Sequence, residues 1–307
     1  MARGKATAIG FTAVLLWALL ALFTVGSAPV PPLQLNAMCF AVGGMIGVIW
    51  LAATGNLHDL RKVGWPIYVA GTAGLFGYHL LYFSALRLAP PAEAGLIAYL
   101  WPLLIVLFSG LLPGERLTVW HVLGALVAFA GAALILGGGI GADLTALPGY
   151  ALAGLCALTW SSYSLLSRRF GHVPTAAVAV YCLASSALSA LAHGLFEQTV
   201  WPQDVLGWAA VLGLGLGPVG LAFYTWDLGV KRGDIQLLGT ASYAAPLIST
   251  LVLVGVGIAP ASPVLLGSAA LIAGGAALAA LGARRSVPAV PEPAPLAGSE
   301  PPHTATR

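Results

Sequence analysis

FGYHLLYFSALRLAPPAEAGLIAYLWPLLIVLFSGLLPGERLT, residues 76–118, reads as two apolar segments of membrane-crossing length joined by a tight turn at Pro90 and Pro91. It carries His79, the one histidine near the middle of an apolar segment, between Tyr78 and Tyr82. It also carries a proline inside the second segment, Pro102, directly after Trp101. A weaker copy of the pattern returns at 224–261. The fold follows from why one chain holds this pattern twice.

Of the 307 residues 59% are hydrophobic and only 7% charged, with a mean hydropathy of +0.93. Soluble domains carry about 25% charged residues, so the composition is that of an all-α integral membrane protein. Arg3 and Lys5 precede an apolar run of crossing length with no clear small-residue cleavage site after it, so no removable leader is expected. Cys39, Cys156 and Cys182 each lie in apolar runs and read as buried, inert thiols. No metal-ligand spacing, phosphate loop or nucleophile elbow occurs, and no cofactor, metal or nucleic acid is expected.

A hydrocarbon core of about 30 Å takes roughly 20 apolar residues per helix. That ruler places ten transmembrane helices at 7–26, 34–53, 66–87, 92–112, 118–137, 148–168, 174–195, 205–229, 235–257 and 262–282. Breaks such as KRGD separate them; there Gly233 suits a helix C′ position and Asp234 an N-cap. The Pro-rich residues 283–307 read as a disordered cytoplasmic tail. With the N-terminus in the cytoplasm, Arg3, Lys5, Arg61, Lys62, Arg116, Arg168, Arg169, Lys231, Arg232, Arg284, Arg285 and Arg307 all fall inside. Arg87 alone of the 13 basic residues falls outside, with Glu93, Asp143, Glu197 and Asp204. This asymmetry puts both termini in the cytoplasm.

The copy extends along the whole chain. Trp17 matches Trp160, Tyr82 matches Trp226, Arg87 matches Lys231, Tyr99 matches Tyr243 and Pro102 matches Pro246. Gly124 and Gly131 match Gly267 and Gly274 with one residue of slippage; these glycines and Gly275 read as close packing between the fifth and tenth helices. Each half, 1–141 and 142–282, holds five helices, an odd number. The second half therefore enters the membrane upside down, giving two inverted-topology repeats with a site where they meet.

Ten crossings in two inverted halves resemble the drug/metabolite transporter superfamily, in its EamA-type branch. The local motif is ALRLAPPAEAGLIAYLWPLLIVLFSGLLPGERLT at 85–118, with the turn Gly114-Glu115-Arg116. The run Ala98-Tyr99-Leu100-Trp101-Pro102, with Trp17 and His79, looks more narrowly like members that export aromatic amino acids. The resemblance implies a carrier. Ala259 stands where an acid would match Glu115, which implies that the two halves do not gate equivalently.

Ionisable groups at membrane depth are costly and default to functional hypotheses. His79 reads either as a substrate contact or proton-coupling residue or as a neutral histidine bonded to a neighbouring helix. Asp227, the one carboxylate placed within a crossing, reads as an i,i+4 partner of Lys231 or as a coupling acid. His121 and His193 read as interfacial. Arg87 reads as a guide for a carboxylate or a partner of Glu93. Trp17, Tyr78, Tyr82, Tyr99, Trp101, Trp160, Tyr163, Tyr224 and Tyr243 read, with His79, as a substrate-binding set, since rings with polar handles line cavities for apolar side chains. Trp226 belongs to the same aromatic series. Pro102 deprives the Ala98 carbonyl of its donor and Pro246 that of Ser242, while Gly217-Pro218 interrupts the eighth crossing; these are candidate gating breaks.

Phosphorylated substrates call for Arg or Lys at depth, and cationic drugs for a buried Glu; neither lies in a crossing. The expected function is export of aromatic and other neutral, zwitterionic amino acids through the bilayer by alternating access around a central cavity, with a proton as the candidate coupling ion. A broader metabolite or neutral-drug exporter, or an uncoupled facilitative carrier, is the alternative. A membrane-embedded enzyme lacks a nucleophile with a base.

Overall fold

The computed structural model describes residues 1–136, 144–258 and 260–285. Asp143, Ala259, Arg307 and the tail from residue 286 lie outside the described residues, as do the expected boundary between halves and the side chains of Arg284 and Arg285. Among the described residues the regular elements are helical and no strand occurs. The chain runs through α1 (Arg3–Trp17), α2 (Leu20–Gly26), α3 (Pro32–Thr54), α4 (Trp65–Leu88), α5 (Pro91–Ala98), α6 (Trp101–Ser109) and α7 (Val119–Leu136). It continues through α8 (Leu147–Arg169), α9 (Ala177–Phe196), α10 (Val205–Leu216), α11 (Ala222–Arg232), α12 (Ile235–Ala241), α13 (Ala244–Gly255) and α14 (Val264–Arg285). A π-helical turn, Gly217–Leu221, joins α10 to α11.

Among the described residues seven helical stretches are long and apolar enough to cross a membrane: Arg3–Gly26, Pro32–Thr54, Trp65–Leu88, Ala177–Phe196, Val205–Arg232, Ile235–Gly255 and Val264–Gly282. The other three expected crossings differ for visible reasons. Glu93–Ser109 and Val119–Ile135 are apolar but shorter. Helix α8 has 23 residues but carries Thr159, Ser161, Ser162, Ser164 and Ser167. Several of those hydroxyls are used internally: Ser164 accepts from Trp226 Nε1 at 3.0 Å and Ser167 donates to Asp227 at 3.1 Å.

The principal helix pairs are α7 with α14, α3 with α9, α4 with α8 and α1 with α11. Lipid tails are as apolar as leucine, so close backbone approach rather than hydrophobic exclusion holds such pairs together. The α7–α14 contact has no room for side chains at its tightest points. A Cβ on Gly124 would lie 2.5 Å from the Gly275 carbonyl, and one on Gly275 would lie 2.5 Å from that of Gly124. Gly131 likewise abuts Ser268 and Ile272. Gly267 and Gly274, expected in the same contact, face open space, because the helical register brings Ser268 and Gly275 to the seam instead.

Charges tie the helices together at both ends. At one end Gly114 takes a left-handed φ of 81°, which glycine adopts without strain. The turn it makes brings Glu115 to Arg168 of α8 and, at 3.3 Å, to Arg3 of α1. Arg3 also reaches Asp234 at 3.3 Å. Arg168 donates to the carbonyls of Val230, Lys231 and Gly233 at 3.1, 2.7 and 3.1 Å, capping the end of α11 where its dipole favours a cation. At the other end Glu197 accepts from the Leu33 and Gln34 amides at the start of α3, each at 3.1 Å. Glu197 also pairs with Arg87 at 3.2 Å and His193 at 3.0 Å.

Two local expectations change here. Arg87 finds its partner in Glu197, brought from another helix, while Glu93 accepts from Tyr150. His121, expected near an interface, lies at the start of α7 with its side chain buried: its Nδ1 accepts from the Thr118 amide at 3.2 Å, and Gly282 packs over its ring. Asp234 does cap α12, accepting from the Leu237 amide at 2.9 Å. Gly233, however, is extended at φ −93°. What requires glycine there is the Thr7 backbone, whose nitrogen would stand 2.8 Å from a Cβ.

Gly275→Val should lower both the Tm in detergent and the yield of folded protein, since overpacking a tight contact costs about 1–3 kcal/mol. Gly274→Val should change neither. Indistinguishable melting curves for the two variants would remove the packing role of the seam.

Candidate functional site

Four tryptophans from four helices meet inside the bundle. Trp17 ends α1, Trp101 begins α6, Trp160 lies in α8 and Trp226 in α11. Every pair among them is in ring contact. Trp17 stands 6.0, 5.7 and 5.1 Å from Trp101, Trp160 and Trp226. The remaining separations are 6.2 Å for Trp101–Trp160, 5.7 Å for Trp101–Trp226 and 6.3 Å for Trp160–Trp226. These distances and the mostly edge-to-face or tilted angles are those at which ring quadrupoles attract.

The cluster sits where helices break. Between Trp17 and Leu20 the chain turns without proline or glycine, a break the residue types do not announce. Between α5 and α6 it turns at Tyr99 and Leu100, just ahead of Pro102. Between α12 and α13 it turns at Ser242 and Tyr243, ahead of Pro246, and Gly217-Pro218 opens the π-helical turn. Aromatic side chains and short backbone bonds satisfy groups freed at these breaks. Trp17 Nε1 donates to the Pro218 carbonyl at 3.1 Å. The Tyr243 hydroxyl accepts from the Leu103 amide at 3.0 Å. The Ser242 carbonyl, expected to lose its donor to Pro246, accepts from the Ala245 amide at 3.1 Å instead.

The remaining members of the expected aromatic set fall into three groups. Tyr78, His79, Tyr82 and Tyr99 are half-buried; Tyr78 and Tyr99 border the tryptophans, and His79 and Tyr82 adjoin Tyr78. Tyr78 lies 5.4 Å from Trp160 and stacks with Tyr82 at 6.2 Å, while Tyr99 lies 6.1 Å from Trp101 and faces Tyr243 at 6.2 Å. His79 stands among Phe40, Tyr78 and Phe223 at 5.1, 5.3 and 6.3 Å, and its Nδ1 meets the Leu75 carbonyl of its own helix at 2.7 Å. Tyr163 touches Trp160 at 5.2 Å but also lines a separate cavity. Tyr224 lies apart: its hydroxyl donates to the Gly43 carbonyl at 2.9 Å, at the contact between α11 and α3.

Phe223 belongs with the cluster although it does not stand among the expected aromatic residues, and Trp226, part of the expected aromatic series, belongs there too. Phe223 is 5.7 Å from Trp160 and stacks with Phe40 at 5.6 Å. Their signal was present in the i,i+3 spacing of two large rings on α11. Asp227 follows Trp226 yet points away from the rings. It is fully buried and held by Lys231 at 2.7 Å, Thr175 at 2.7 Å and Ser167 at 3.1 Å. The expected i,i+4 pair is therefore present, with two hydroxyl donors added.

The packed aromatic cluster lies at the convergence of interrupted helices, and rings of this kind suit contact with an apolar or aromatic side chain. The chain matches the EamA-like transporter family twice, over residues 4–137 and 147–281. It is 57% identical over 288 residues to the aromatic amino acid exporter YddG of Ancylobacter novellus, covering 93% of this chain and 100% of the relative. The exporter of the same name from Escherichia coli is 26% identical over 300 residues, covering 93% and 100% of the two chains. A crystal structure with 57% sequence identity superposes with a TM-score of 0.88 over 92% of this chain and all of the other. With two family matches that together span most of its length, this chain belongs to the EamA-like transporter family.

Proposed function

We propose that this protein exports aromatic and other neutral hydrophobic amino acids across a bacterial inner membrane. The observation that carries the reading is the tryptophan cluster: four indoles in mutual contact at helix breaks, in a relative of proteins named aromatic amino acid exporters. The cluster and its borders, Tyr78, His79, Tyr82 and Tyr99, receive the side chain of the substrate. Carbonyls and amides near Pro102, Pro218 and Pro246 are the candidate contacts for its ammonium and carboxylate.

The carrier works by alternating access of two halves, 1–141 and 142–282, each contributing five of ten crossings in inverted topology. Several facts support this. The family match occurs once in each half. The helix pairs α1–α11 and α8–α4 exchange when the halves are exchanged, while α3–α9 and α7–α14 map onto themselves. Residues aligned between halves face one another, as Trp17 and Trp160 do at 5.7 Å and Tyr99 and Tyr243 at 6.2 Å. Both termini are cytoplasmic, so the Glu115 network lies on the inner face and the Glu197 network on the outer. Proton coupling, if used, falls to His79. Asp227 is engaged by three partners and serves as a structural anchor.

The test is uptake of labelled phenylalanine and tryptophan by proteoliposomes, with and without an imposed proton gradient. Saturable uptake that lysine and a quaternary ammonium dye do not inhibit is the expected result; transport of the dye alone would make the protein a drug exporter. Trp101→Ala removes a central ring and should lower kcat/KM for tryptophan by about tenfold or more without preventing insertion. His79→Gln should abolish any stimulation by the gradient while leaving exchange intact. Asp227→Asn should reduce folded protein rather than the gradient response, since orphaning a buried charge costs about 3–5 kcal/mol. Normal Tm with a lost gradient response in that variant would transfer the coupling role to Asp227.

A further inference from the structure

Two cavities lie apart from the tryptophans, at the end of the molecule that carries Arg168 and Lys231. The wider, ≈ 410 Å³, opens between Asp59 and Lys62 on one side and His172 and Pro174 on the other. That is a volume suited to a small ligand. The narrower, ≈ 20 Å³, has room for about one water and is lined by Tyr163, Ser167, Tyr181 and Lys231. Ile67 and Val173 form part of both walls, so the two cavities adjoin across two apolar side chains.

The chamber has more donors than acceptors. The Tyr163 hydroxyl is buried, with no partner at hydrogen-bond distance and Ser167 as its nearest polar neighbour. Lys231 Nζ donates to Asp227 at 2.7 Å and to the Val173 carbonyl at 3.0 Å, leaving one of its three protons unassigned. Asp227 already accepts from Lys231, Thr175 and Ser167. A buried hydroxyl and a buried ammonium with spare donors fit an incoming carboxylate. The rings lead onward: Tyr163 stands 6.5 Å from Tyr181 and 5.2 Å from Trp160 of the cluster. Gly71 and Gly74 of α4 make this possible, since a Cβ on either would lie 2.5 or 2.6 Å from the Tyr181 or Tyr163 ring.

We infer that these cavities form the loading path for a zwitterionic amino acid entering from the cytoplasm. The cleft admits it, Ile67 and Val173 part, and Tyr163 with Lys231 takes its carboxylate before the side chain passes to the tryptophans. This rests on the exporter reading and orientation proposed above. A purely structural role for Lys231 would involve Asp227 and the Val173 carbonyl and make no demand on Tyr163.

The full-length protein in proteoliposomes tests it. Tyr163→Phe removes one oxygen and should raise KM for phenylalanine about three- to tenfold with kcat unchanged. Its competition by phenethylamine, which lacks the carboxylate, should not change. The double variant Asp227→Asn/Lys231→Met removes the pair without orphaning a charge, and should lose the preference for phenylalanine over phenethylamine. In Ile67→Cys, a charged methanethiosulfonate reagent should reach the new thiol from the cytoplasmic face, since the three native thiols are buried. Phenylalanine should slow that modification several-fold, and modification should block uptake. Unchanged KM in Tyr163→Phe, or a thiol at 67 that is unreactive or modified without protection or block, overturns the path while wild-type uptake keeps the exporter reading intact. Absence of aromatic amino acid uptake by the wild type overturns both.

Discussion

The hydrogen bond from Trp17 Nε1 to the Pro218 carbonyl, at 3.1 Å, expresses the constraint on which the structure depends. Inside hydrocarbon no water is available to a free backbone group, so each break in a helix needs a substitute partner from elsewhere in the chain. Trp17 serves the π-helical turn of one segment, and the Tyr243 hydroxyl serves the Leu103 amide of another. Ala245 closes a short turn onto Ser242 within its own segment. The aromatic residues are thus held in place by the breaks they help to satisfy. Rings and breaks cannot be separated into a structural set and a functional set.

Charge is distributed by the same logic. Ion pairs gather at the two ends, where Glu115, Arg168, Arg3 and Asp234 join four segments and Glu197 joins the starts and ends of α3, α4 and α9. Such contacts tie together helices that apolar packing alone would leave free to slide in lipid. Among the described residues, the buried pair of Asp227 with Lys231 is neutral as a unit and surrounded by hydroxyl donors, which is how a buried ion pair becomes tolerable.

Local pattern was readable wherever a residue's environment follows from its own helix. The i,i+4 pair at Asp227, the cap at Asp234 and the interruptions at Pro102, Gly217-Pro218 and Pro246 all depend on neighbours a turn away. The errors have the opposite character. Of the two readings of Arg87, the pairing with the nearby Glu93 gives way to Glu197, which arrives from the end of a helix far along the chain. Gly274 and Gly275 both read as seam residues, yet of the two it is Gly275 that meets α7, because one position of rotation on a helix decides which glycine does. Tyr224 is one residue from Phe223 yet points toward α3 rather than toward the tryptophans. The break after Trp17 has no proline or glycine to mark it.

The amino-acid sequence by itself determined that this chain is helical and membrane-embedded, and that its aromatic and helix-breaking residues recur in two related halves, because hydrophobic length and residue type are properties of single segments. Tertiary structure alone decided that Trp17, Trp101, Trp160 and Trp226 converge while Tyr224 does not, and that Tyr163 opens onto a second chamber. Which face a helix turns inward is set by its neighbours' surfaces, and in a chain so uniformly apolar the periodicity of one segment carries no trace of them.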